Sequence, residues 1–83
     1  MRVKLGAFVQ VDWHDASSAA TVPFNAERDH KPIVMHTRGW VLACNRDGIS
    51  VANETYREEG NDHFRGWTFI PKGMVVRVKR VAR

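Results

Sequence analysis

The chain has 83 residues, a mass of 9.5 kDa and a formal net charge of +4. That length holds one domain, residues 1–83, with one small core, and its single cysteine, Cys44, excludes an internal disulfide and points to a reducing, cytoplasmic setting. The longest apolar run, Trp40 to Cys44, falls far short of the ~20 residues that cross a bilayer, and Gln10 and Asp12 interrupt the apolar stretch behind Arg2 and Lys4, so neither a membrane span nor a signal peptide is expected.

Valine and isoleucine total 14 against two leucines, with three tryptophans and four phenylalanines besides. Branched and aromatic side chains fit a pleated, half-buried surface, so the composition predicts an all-β chain. Residues 3 to 13 alternate: Val3, Leu5, Ala7, Val9, Val11 and Trp13 share one face, and Arg2, Lys4, Gln10 and Asp12 the other. Period two over that length predicts a first strand buried on one side, with Gly6 and the out-of-phase Phe8 marking a bend. Residues 14 to 32 lose the alternation and contain Pro23 and Pro32, which predicts an irregular excursion. A short helix from Asp15 to Ala20, or from Asn25 to His30, is an option there.

Residues 33 to 44 predict a second strand whose apolar phase switches at Gly39, the place for a sharp bend. Asn45-Arg46-Asp47-Gly48 predicts a tight turn with Gly48 in the left-handed position. The third strand is expected from Ile49 to about Tyr56, followed by a polar loop from Arg57 to Gly66. Trp67 to Ile70 gives a short fourth strand, Pro71-Lys72-Gly73 a break, and Met74 to Val81 a fifth. Five bent strands with a glycine corner suit a small SH3-like barrel better than a flat sheet.

The order of these elements, with two short stretches, resembles the Sm/LSm-like family of five-stranded, strongly bent open barrels. Ile70-Pro71-Lys72-Gly73-Met74-Val75-Val76 resembles that family's second motif. Gly39-Trp40-Val41-Leu42 through Asn45-Arg46-Asp47-Gly48-Ile49 resembles a degenerate form of its first. The Trp13-His14-Asp15 end of strand one, Gly39-Trp40 in strand two and Ile70-Pro71-Lys72-Gly73-Met74 together are also similar to small proteins of phages and marine bacteria. It departs from the family in lacking a helix before the first strand and in placing its excursion between strands one and two. The resemblance implies RNA or other single-stranded nucleic acid as partner, held by the two turns at Asn45, Arg46, Asp47, Lys72 and Gly73. It also implies a homo-oligomeric ring of about five to seven copies.

Each feature also has a plainer reading. Arg2, Lys4, Arg77 and Lys79 form a basic stripe if first and last strands pair, either to draw phosphates or simply to guard strand edges. The turn residues are equally good hairpin chemistry. The three tryptophans read as core or subunit interface before they read as a stacking platform. Four histidines, His14, His30, His36 and His63, show no repeated ligand pair, so no metal and no cofactor is expected. No nucleophile elbow, phosphate cradle or paired carboxylate is visible, and no enzyme is expected. Strands four and five form the open edges of such a barrel. Trp67, Phe69, Met74, Val75 and Val76 are the candidates for joining copies there. The alternative is a structural or protein-interaction barrel without nucleic-acid activity.

Overall fold

The structure is a computed structural model and describes residues 2–15 and 32–82. It is one open antiparallel sheet of five strands: β1 (Phe8–Asp15), β2 (Ile33–Asn45), β3 (Gly48–Glu58), β4 (Asn61–Pro71) and β5 (Val75–Arg80). The spatial order is β4-β3-β2-β1-β5, so the first and last strands are neighbours and β4 and β5 form the two edges. Among the described residues the only helical piece is a single 3-10 turn, Lys72–Met74, and no helix is long and apolar enough to cross a membrane. Of the expected excursion, His14 and Asp15 belong to the end of β1 and Pro32 precedes β2, while 16–31 lie outside the described residues, and with them both helix options apart from Asp15.

The core sits on one face of the sheet. Val9 and Val11 of β1, Val41 of β2, Ile49 and Val51 of β3 and Ile70 of β4 lose essentially all solvent contact. Val3, Trp13, Cys44, Met74, Val75 and Val78 pack around them. The alternation of β1 therefore holds from Ala7 onward. The strand does not extend to residue 3, although Val3 still packs on the core, because Gly6 adopts a left-handed φ of 81° and donates its N–H to the Val41 carbonyl, while Ala7 N–H returns to the Lys4 carbonyl. That turn ends the strand, leaving Leu5 exposed and Arg2 and Lys4 off the β1 ladder.

Two phase changes come from bulges. In β2 the register shifts between Val41 and Ala43, so Trp40 faces away from the core while Cys44 faces it. The switch expected at Gly39 thus lies three residues later, because an inserted residue reverses the side-chain phase. In β5, Asp12 pairs with Arg77 and Trp13 with Val75, leaving Val76 without an opposite residue. Consecutive apolar residues there reflect a bulge, with Val75 turned to the core and Val76 exposed.

The expected loop from Arg57 to Gly66 is instead a continuation of β3 and β4. Glu58 pairs with Asn61, and the two-residue turn Glu59-Gly60 has positive φ at both positions (52° and 79°), the backbone that matches a hairpin's twist. Polar residues persist as strand because pairs span the hairpin: Arg57 Nε to Asp62 Oδ1 (3.2 Å), Arg65 Nη2 to Glu54 Oε2 (3.2 Å), and Tyr56 stacked on His63 at 5.1 Å. With both faces in water, this stretch needs no apolar alternation.

Candidate nucleic-acid interface

The two turns singled out in the sequence meet at one end of the sheet. Asn45 pairs with Gly48 around a two-residue loop of Arg46 and Asp47, and Gly48 pairs in turn with Pro71 of β4. Lys72 then donates its backbone N–H to the Asp47 carbonyl at 3.0 Å. Asn45, Arg46, Asp47, Lys72 and Gly73 are all exposed. Asn45 commits Oδ1 to the Asp47 N–H (2.8 Å), which stiffens the turn and leaves its amide N–H₂ as the group to offer. Gly48 takes a φ of 156° rather than the αL position of a bulged turn, and a Cβ there would strike the Ile70 carbonyl.

The basic stripe is only partly assembled. Arg77 and Lys79 lie on β5 opposite Asp12 and Gln10, facing away from the core. Lys4 is exposed ahead of β1, and Arg2 lines an open cleft of about 400 Å³ with Lys72 and Arg77 instead of extending the strand. Gly6 is the cause, since the chain turns there.

Missing from the sequence reading is a polar network on the same outer face. Gln10 and Asp12 are buried although they occupy the polar phase of β1. Asp12 Oδ1 accepts from His36 Nδ1 (2.6 Å) and from Gln10 Nε2 (2.8 Å). Its Oδ2 accepts from Arg77 Nε (3.2 Å) and Nη2 (3.0 Å), and Arg38 Nε donates to Gln10 Oε1 (2.8 Å). Three strands thus converge on one carboxylate. A signal existed: Gln10-x-Asp12 and His36-x-Arg38 carry matched two-residue spacing, and antiparallel pairing sets acid against imidazole. Among the described residues no three His, Cys, Asp or Glu side chains group as metal ligands.

The hydrogen bond from His36, then those from Gln10 and Arg77, hold the Asp12 carboxyl well below the usual carboxylate range against the opposing effect of burial. A depressed carboxylate contributes stability above its unfolded value of about 3.9 and loses it as pH falls below that. Asp12→Asn should therefore have a lower urea midpoint than the wild type at pH 7, with the gap closing as pH drops from about 4 towards 2. A gap that stays constant across this range would remove the carboxylate charge as the cause.

Aromatic side chains border this network. Phe8 packs edge-on against Trp40 at 4.9 Å, and Phe64 lies 6.4 Å from Trp40. Trp67 and Phe69 stand on the β4 edge at 63% and 46% exposure. Of the residues expected to join copies, Met74 and Val75 are claimed by the core, which leaves Trp67, Phe69 and Val76 exposed. Trp13 alone of the tryptophans packs on the core, its indole N–H donating to Thr37 Oγ1 at 2.9 Å. Comparison of the chain with protein-family models, with curated proteins and with solved structures found no match.

Proposed function

We propose that this protein is a non-enzymatic, Sm-like small β-barrel protein that binds single-stranded nucleic acid, RNA in the first instance, as a homo-oligomer. The observation that carries the reading is the Lys72 N–H to Asp47 carbonyl bond, which joins the two turns into one exposed cluster. Arg46 and Lys72 supply cations for phosphate, and the Asn45 amide and the Arg46 guanidinium plane supply groups that recognise unstacked bases. Pairing of β1 with β5 and the register shift in β2 support the Sm-like reading. Self-association follows from the unpaired backbone of β4 and β5. Strand β4 of one copy meeting β5 of the next is a heterologous contact that closes into a ring, about five to seven copies by family resemblance.

A gel shift with uridine-rich and adenine-rich single strands tests this. Binding should weaken steeply from low to physiological salt, and a folded Lys72→Ala variant should bind less, with a salt slope shallower by about 0.7. Retention of neither strand at low salt would sink the nucleic-acid reading. The exposed aromatics of the β4 edge would then favour a structural or protein-interaction module. A 9.5 kDa monomer by light scattering at micromolar concentration would remove the ring.

A further inference from the structure

Residues directly opposite in neighbouring strands share a face, so the register defines rows across the sheet. On the face away from the core, Trp67 of β4, Ala52 of β3, Trp40 of β2 and Phe8 of β1 form one row. Two residues along, Arg38 of β2, Gln10 of β1 and Lys79 of β5 form the next. An aromatic row therefore runs beside a basic one, offset by about 6.6 Å at ~3.3 Å per residue.

We infer that this outer face is a second binding surface for single-stranded nucleic acid, with a base stacked on Trp67 and phosphates along Arg38 and Lys79. The inference rests on the nucleic-acid reading above but assigns it a different part of the molecule from the turns. Three observations support it. Trp67 is 63% exposed, and an exposed indole is the kind of group on which any base stacks. The hydrogen bond from Arg38 Nε to Gln10 Oε1 holds the guanidinium on this face, and among the described residues neither Arg38 nor Lys79 enters an ion pair. Asp12, two residues along β1 from Gln10, is buried and ion-paired with Arg77, so it does not cancel the basic row. The acidic residues Glu54, Glu58, Glu59 and Asp62 lie along the β3–β4 hairpin beyond Ala52. A polyanion crossing the sheet therefore meets cations on β2 and β5.

The test uses a fluorescein-labelled uridine 15-mer and measures anisotropy across a salt series, alongside intrinsic tryptophan fluorescence. In the wild type the oligonucleotide should quench tryptophan emission. Trp67→Ala should weaken binding about 5- to 100-fold, and Trp67→Phe should restore most of it. The double variant Arg38→Ala/Lys79→Ala should flatten the salt slope by about 1.4. Arg46→Ala/Lys72→Ala serves as the comparison at the turns. If that pair abolishes binding while the Trp67 and Arg38/Lys79 variants bind like the wild type, the outer face is excluded and the nucleic-acid reading stands. If the wild type binds no oligonucleotide, both fall. If Arg38→Ala/Lys79→Ala leaves binding intact but lowers the mass seen by light scattering, the face is a contact between copies and the inference is overturned. Circular dichroism of each variant confirms that it is folded before its binding is compared.

Discussion

Ile70→Ala is expected to leave the domain largely unfolded at 37 °C. Ile70 and Ile49 face each other across β4 and β3, both without solvent contact, at the centre of a core built mainly from valines. Removing a buried isoleucine side chain to Cβ costs about 3–4 kcal/mol once the cavity is included. A domain of this size is held by about 5 kcal/mol at the lower end of the usual range, so most of its margin disappears. Thermal melting followed by far-ultraviolet circular dichroism should show a midpoint lowered by at least about 12 °C. Phe69→Ala, one residue earlier and 46% exposed, should change it by a fraction of that. Equal shifts for both would mean that the core is not centred on the Ile49–Ile70 pair.

Gly39→Ala should be nearly as damaging, for the opposite reason. Gly39 is buried where β2 passes close to β3, and a Cβ there would fall on the Ala52 carbonyl oxygen. The obstruction is backbone, which cannot move aside by changing a rotamer. Its neighbours Trp40 and Val41 pair with Ala52 and Val51 in the β2–β3 ladder. Relief requires the two strands to separate, with a cost of about 3 kcal/mol or more. Gly73→Ala is the control: its Cβ meets nothing within 4 Å. Urea midpoints of the two variants should differ widely, and similar midpoints would show that β2 accommodates the added methyl.

What the sequence made legible follows from which contacts were local. The alternation of Ala7, Val9, Val11 and Trp13 states directly which side of β1 is buried, and the structure agrees. The hairpin tip carries no such signal because Glu54 to Arg65 has water on both faces, and its strand character comes from cross-strand partners rather than from period two. Gln10 and Asp12 fall in the exterior phase of β1, and the sequence hides their burial for a related reason. Their burial is supplied by His36, Arg38 and Arg77, residues that become neighbours only after the register is set. The turn cluster was half legible. Each turn was plain in the chain, whereas the hydrogen bond joining Lys72 to Asp47 depends on β3 and β4 pairing as far as Gly48 and Pro71.

Pairing of β1 with β5 sets an order on folding. The β3–β4 hairpin closes around two residues and can zip from Glu59-Gly60 with little loss of chain entropy. The ladder joining Val9 to Arg80 must instead enclose nearly all of the described chain before its first contact forms, so it is the slowest pairing to reach. Until it forms, Asp12 lacks Arg77, and β1 presents a carboxylate whose Oδ2 is not yet matched by a cation beside an apolar face with no neighbour on that side. The carboxylate's own charge then discourages that edge from recruiting a strand of another chain, and the same charge becomes an attraction once β5 arrives. Asp12 thus acts first as a guard on an unfinished edge and afterwards as the clasp that fastens it.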